Sequence, residues 1–151
     1  GASRGGLGTW AGGLAVSKEA LTALGIPEDA YVLYDGSGLS RYNYITPEAL
    51  TTILAAMHAD AQHRDAFAAT LPIAGKDGTI SSRLKRTRAE GNAIAKTGSI
   101  ANVRSLSGYV KTRDGETLAF SILANDFVIP VSTINYIADL GVEILSNFTR
   151  K

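Results

Sequence analysis

Two strand-like runs joined by a tight-turn signal constrain the fold of this chain more than any other feature. Ser105 to Thr112 and Thr117 to Asn125 are rich in apolar and hydroxyl residues, with Arg113-Asp114-Gly115-Glu116 between them. An Asp-Gly pair flanked by such runs marks an antiparallel hairpin. A third run, Asn92 to Ile100, precedes the pair and is interrupted by Gly98. Downstream, Ile134, Ile137, Ala138, Gly141, Leu145 and Phe148 recur on one stripe of Ser132 to Thr149, which reads as an amphipathic helix. The order predicts an α+β fold: an antiparallel sheet covered by helices, with the C-terminal helix packed on the sheet.

The N-terminal half reads as shorter elements. Ser17 is placed to cap a helix through Leu24, ended by Gly25 and Pro27. Tyr31-Val32-Leu33-Tyr34 is a short strand, stopped by Asp35-Gly36-Ser37-Gly38. Thr46-Pro47-Glu48 opens a helix with a hydroxyl cap, a proline and an acid. Leu50, Ile53, Leu54, Met57 and Ala61 then share one face. A second short helix is expected from Gln62 to Leu71, and Asp77-Gly78 and Glu90-Gly91 mark turns around a basic stretch. No repeat and no linker divides the 151 residues, and residues 1–6 read as a flexible start.

Composition narrows the function. Hydrophobic residues at 45% and charged residues at 19% mark a globular chain. A net charge of +1 makes no electrostatic case for nucleic acid or an anionic membrane. No apolar run approaches the roughly 20 residues of a membrane span, and no basic-then-apolar leader opens the chain. The absence of cysteine excludes disulfides, thiolate zinc sites and cysteine nucleophiles. His58 and His63 are five apart, where a helical metal pair needs four, so they read as a solvated helix end and no metal site is implied. Gly36-Ser37-Gly38 is neither a nucleophile elbow nor a dinucleotide fingerprint. It reads as a tight turn, serving backbone geometry or ligand contact, and no cofactor is implied.

The chemistry sits in Ala95-Lys96-Thr97-Gly98-Ser99-Ile100. Lys-Thr-Gly is the third signature of the penicillin-recognising serine enzymes, beside Ser-x-x-Lys and a Ser-x-Asn-type signature. Around it stand Leu71-Pro72-Ile73-Ala74-Gly75-Lys76-Asp77-Gly78-Thr79-Ile80, Arg86-Thr87, Tyr34-Asp35-Gly36-Ser37-Gly38-Leu39-Ser40-Arg41 and Ser105-Leu106-Ser107-Gly108-Tyr109-Val110. From about Gly5 to Asp126 the chain resembles the C-terminal part of the D-alanyl-D-alanine carboxypeptidase/endopeptidase family, the class C low-molecular-mass penicillin-binding proteins.

The resemblance implies a transpeptidase/serine-β-lactamase type of domain. Such enzymes remove terminal D-alanine from peptidoglycan stem peptides, or cleave cross-links, through an acyl-serine intermediate in the periplasm or elsewhere outside the cytoplasm. β-Lactams acylate the same serine. In that family the serine, its lysine and the second signature precede the segment matched here. Residues 1–151 are therefore expected to be the C-terminal portion of a larger domain, inactive alone, with the nucleophile on a companion N-terminal segment.

Within the tetrad, Lys96 offers a cation and Thr97 a hydroxyl for the substrate's terminal carboxylate. Gly98 lets a bound peptide approach and pair with the strand. By family analogy the Ser99 N–H is one oxyanion-hole donor. A geometric tension remains, because a strand's period of two sends Lys96 and Thr97 to opposite faces. Both reach one cleft only if the strand borders it.

Other features carry less. Ser82-Arg83-Leu84-Lys85 fits Ser-x-x-Lys, but no cap or apolar stripe follows, so it reads as a decoy and no nucleophile is assigned. No Ser-x-Asn occurs in the chain. Arg83, Lys85, Arg86 and Arg88 form a basic cluster, either a solvated loop or a rim that attracts acidic stem peptides. Trp10 reads as a packing anchor in preference to a sugar-stacking platform. Two alternatives stand beside the carboxypeptidase reading: a non-catalytic structural or binding module that keeps the scaffold, and a β-lactamase relative. The Asp35–Ser40 and Leu71–Thr79 matches argue against the β-lactamase.

Overall fold

The computed structural model describes residues 8–150, so the expected flexible start at residues 1–6 lies outside the described residues. The chain forms two compact units, one ending at Ala56 and the other beginning at Met57.

In the first unit, α1 spans Trp10–Ala23. It begins at Trp10, well before Ser17, because Thr9 is the cap: its hydroxyl oxygen accepts the Gly12 N–H at 3.2 Å. Ser17 instead lies within the helix and donates its hydroxyl to the Gly13 carbonyl at 3.0 Å. Gly25, at φ +76°, follows the helix as expected. Strands β1 (Tyr31–Val32) and β2 (Tyr44–Ile45) pair antiparallel. Helix α2 (Pro47–Ala59) starts where the sequence places it, with the Thr46 hydroxyl accepting the Ala49 N–H at 3.2 Å.

A small core of Ile26, Tyr31 and Ala49 is flanked by Leu21, Leu33, Ile45 and Ile53. No residue of α1 is buried. Its apolar side borders an open groove of about 680 Å³ that also takes in Leu33, Ile45 and Ile53. Trp10 is not a packing anchor, being 57% exposed.

The second unit carries the sheet. Helix α3 is only Arg64–Ala68, shorter than the expected Gln62–Leu71. Strands β3 (Ile94–Ile100), β4 (Val103–Lys111) and β5 (Thr117–Asn125) form an antiparallel sheet in the order β3-β4-β5. Helix α4 (Val131–Asn147) packs on one face. Alternation along the strands puts Ala95, Leu106, Val110 and Phe120 on that face, buried with Ala138 and Val142. Gly141 permits the close approach: a Cβ there would lie 3.2 Å from Ile122 Cδ1. The other side of α4 is apolar too, and Tyr136, Ile137, Leu140 and Ile144 are 43–66% exposed.

The basic cluster between the turns divides in two. Arg83 pairs with Asp139 (Nη2 to Oδ1, 2.8 Å) and also donates to the Asn135 carbonyl. Arg88 donates to the carbonyls of Ser146 (2.9 Å), Thr112 and Arg113, tying the loop to the last turn of α4. These two are braces: Arg83 is half-buried, and Arg88, although exposed like Lys85 and Arg86, has its guanidinium bound to those carbonyls. A guanidinium meeting three carbonyls beside a helix C-terminus is charge-assisted at every contact. Arg88→Ala is therefore expected to cost about 2 kcal/mol in a urea unfolding experiment, with little recovery in Arg88→Lys, which lacks the planar fork.

Candidate active site

The tetrad Lys96-Thr97-Gly98-Ser99 lies in the middle of β3, an edge strand of the described sheet. Its outer edge is partly covered. Pro72 to Ala74 runs alongside, with Ala74 N–H donating to the Ala93 carbonyl and Ala95 N–H to the Pro72 carbonyl, both at 2.9 Å. Because an antiparallel strand alternates its amides between its two sides, the outward Ala95 N–H puts those of Thr97 and Ser99 outward as well. Beyond Ala95 the edge is not paired with another strand among the described residues.

The side chains at this edge have definite partners. Lys96 Nζ donates to the Thr97 carbonyl at 2.8 Å. The Thr97 hydroxyl donates to Thr79 Oγ1 at 2.8 Å, from a short 3₁₀ turn at Gly78–Ile80. The tension over opposite faces is thus relieved at an edge, since the Lys96 ammonium folds round onto the outward carbonyl of its neighbour. Lys96 and Ser99 are exposed, whereas Thr97 and Gly98 are half-buried. Gly98 pairs with Ser105, and any Cβ on it would press on the Ser105 hydroxyl. Lys96 pairs with Ser107, whose hydroxyl shares a 2.9 Å hydrogen bond with Ser121.

Sequence reading missed Thr79 as the partner of the Thr97 hydroxyl and Ser121 as the partner of Ser107, which lies opposite Lys96. Thr79 stood inside the quoted Leu71–Ile80 block, and its contact with Thr97 depends on how that block folds back. Ser121 follows from strand register, which the hairpin signal alone did not specify.

The remaining candidates lie apart from any such arrangement. In the Ser82–Lys85 stretch, Leu84 adopts φ +60° and buries its side chain, so Ser82 and Lys85 are not one helical turn apart. The nearby Arg86 N–H donates to Glu90 and holds its carboxyl below the usual value. Gly36-Ser37-Gly38 is a turn closed on Asp35. That carboxylate accepts the Ser37 N–H, the Ser37 hydroxyl and the Asn43 amide, and the Ser37 N–H leads in lowering its pKa. His63 bonds Asp60 at 2.7 Å, while His58 lies 5.6 Å from the Tyr109 ring. Among the described residues no three acidic or histidine side chains gather as a metal site. Among the described residues no helix is long and apolar enough to cross a membrane.

Comparison with known proteins supplies the context for this edge. The profile of the D-Ala-D-Ala carboxypeptidase 3 (S13) family matches residues 1–145. The D-alanyl-D-alanine carboxypeptidase of Actinomadura sp. (strain R39) is 43% identical over 125 residues, 80% of this chain and 23% of that protein. The D-alanyl-D-alanine carboxypeptidase DacB of Haemophilus influenzae is 41% identical over 77% of this chain and 24% of its own length. The crystal structure of penicillin-binding protein 4 from H. influenzae, complexed with a β-lactam, superposes with a TM-score of 0.74 at 32% identity, covering 90% of this chain and 33% of that one. The chain thus spans about a quarter of the length of the curated relatives it matches. Its antiparallel sheet, with the C-terminal helix packed on one face, is part of the penicillin-binding fold that the sequence implied. The chain belongs to the D-Ala-D-Ala carboxypeptidase 3 (S13) family.

Proposed function

We propose that this chain is the C-terminal portion of a serine-type D-Ala-D-Ala carboxypeptidase/endopeptidase, which acts on peptidoglycan stem peptides outside the cytoplasm through an acyl-serine intermediate. The observation that carries this reading is the unpaired stretch of β3 at Thr97–Ser99, beside the Lys96 ammonium. Lys96 Nζ and the Thr97 hydroxyl receive the terminal carboxylate, exchanging their present internal partners for it. Gly98 lets the peptide lie against the strand as an added strand. The outward Ser99 N–H is one of two donors to the oxyanion, and each such donor is worth about 3–4 kcal/mol in the transition state.

The nucleophile comes from a companion N-terminal segment that also brings the general base and the second signature. Its serine oxygen attacks the carbonyl carbon of the penultimate D-alanine, and the C–N bond breaks. The terminal D-alanine leaves with a proton on its nitrogen, and water then hydrolyses the ester. β-Lactams enter the same path by acylating that serine. Thr79 acts as a positioning residue, holding the Thr97 hydroxyl through their hydrogen bond.

Apolar surface supports a missing companion over a self-sufficient binding module. The outward face of α4 and the groove beside α1 are both apolar and open to solvent. A stand-alone module covers such surface with polar side chains. A fluorescent penicillin, read by denaturing gel and intact mass, tests the whole reading. The expected result is no covalent label on this chain and a label on the companion polypeptide when the two are combined. A label on this chain would overturn the missing nucleophile and make Ser82 the first residue to replace. No label on either would leave the non-catalytic module as the better account.

A further inference from the structure

A hydroxyl has a single proton to donate. The Thr97 hydroxyl donates its own to Thr79 Oγ1 at 2.8 Å, which leaves none for a ligand in this arrangement. A carboxylate only accepts. For Thr97 to meet the terminal carboxylate of a substrate, its proton must turn outward, and the contact with Thr79 then needs another proton. Thr79 has one, because accepting a hydrogen bond leaves its own O–H free to turn.

Thr79 stands on a turn whose backbone is fixed from several sides. Its neighbour Ile80 is fully buried. The Gly75 N–H donates to the Ile80 carbonyl at 3.0 Å, and the Asp77 carboxylate accepts the Ile73 N–H at 2.7 Å. Upstream, Pro72 and Ala74 are bonded to Ala95 and Ala93. The side chain itself is β-branched and stiff about χ1. The Thr79 oxygen is therefore held against Thr97 by the fold, and only its proton turns easily.

Reversal of the pair loses no hydrogen bond. In the free chain the two hydroxyls share one bond, from Thr97 to Thr79. With a carboxylate at Thr97 they still share one, from Thr79 to Thr97, and a charge-assisted bond to the ligand is added. Donation by Thr79 also polarises the Thr97 O–H, so the two bonds strengthen each other. An uncharged acceptor draws less from the same chain.

We propose that Thr79 is a specificity-determining positioning residue. Its hydroxyl reverses from acceptor to donor when Thr97 turns to an anionic ligand, and the pair thereby favours a free carboxylate over an uncharged end. This relay rests on the proposed function for the ligand's place at Thr97.

The test compares benzylpenicillin with its methyl ester, in the enzyme reconstituted with its companion segment. Thr79→Val keeps the side-chain shape and removes the hydroxyl. It is expected to lower the acylation efficiency about tenfold with the acid and less than about twofold with the ester, the scale of one hydrogen bond to a charged group. Thr79→Ser should restore most of the loss. Thr97→Val combined with Thr79→Val should acylate no more slowly than Thr97→Val alone, because the two hydroxyls act as one unit. In the chain by itself, three-bond couplings of the Thr97 methyl should report one rotamer, and averaging in Thr79→Val. Urea midpoints for every variant separate these effects from unfolding. Equal losses with acid and ester, no rescue by serine, or additive losses in the double variant overturn the relay and leave Thr79 a tie between turn and strand. A parent enzyme that neither ligand acylates strikes the proposed function and the relay with it. A parent that acylates without the contrast strikes the relay alone.

Discussion

Lys96→Ala is expected to lower the acylation rate constant for penicillin by roughly 10²–10³-fold in the enzyme reconstituted with its companion segment, a loss of about 3–4 kcal/mol. The ammonium stands at the open β3 edge, and its present bond to the Thr97 carbonyl shows that it reaches the outward side. Removing it leaves a ligand carboxylate facing only hydroxyls and amides. Lys96 is exposed, so the unfolding midpoint should not move. Stopped-flow acylation beside a urea titration separates the two effects. A Lys96→Ala enzyme that acylates at the parent rate would reduce the lysine to a surface residue and remove the main support for the proposed site. Lys96→Arg should recover only part of the rate, because its planar fork cannot fold onto the same point.

Gly108→Val is expected to be the most destabilising substitution in the sheet, by about 3 kcal/mol or more. A Cβ at Gly108 would press on the Ile94 carbonyl and lie 2.6 Å from Ala95 Cα, both backbone of the neighbouring strand. No side-chain rotation relieves that contact, so β3 must separate from β4. Urea unfolding measures the loss, and hydrogen exchange should show the β3 amides opening first. Gly98 makes the contrast. A Cβ there meets only the Ser105 hydroxyl, which can rotate, so Gly98→Ala should keep most of the stability while obstructing a peptide on the edge. If Gly108→Val unfolds at the parent's urea concentration, the register of the β3–β4 pair is wrong.

The sheet was legible because its signals are local. Asp114-Gly115 between alternating runs located β5 to the residue, and Thr46-Pro47-Glu48 located the start of α2. Helix α1 was misread because Gly12 and Gly13 weaken its first turns as a pattern, and Ser17 offered a more obvious cap than Thr9. The loop from Gly75 to Gly91 was beyond local reading. Leu84 and Arg86 adopt left-handed backbone there, a conformation their side chains disfavour, and long-range bonds such as Arg83 to Asp139 hold the loop. Of the candidate site, the residue types were visible but the edge was not. Whether Lys96 and Thr97 can serve one cleft depends on what lies beside β3, and that is a tertiary fact.

Pro72 gives the open edge a direction and an end. A peptide laid antiparallel on β3 runs from Ile100 toward Ile94, so its C-terminus travels toward Lys96. It can pair with the outward groups of Ser99 and Thr97, but at Ala95 the N–H is already bonded to Pro72. If a peptide binds this edge as proposed, the strand segment would act as a ruler with a stop: a chain ending there would leave its carboxylate beside the lysine, and a chain that continues would meet the Pro72 segment. Discrimination between a peptide terminus and a peptide interior would then be set by a proline-led strap, at a distance from the reacting bond.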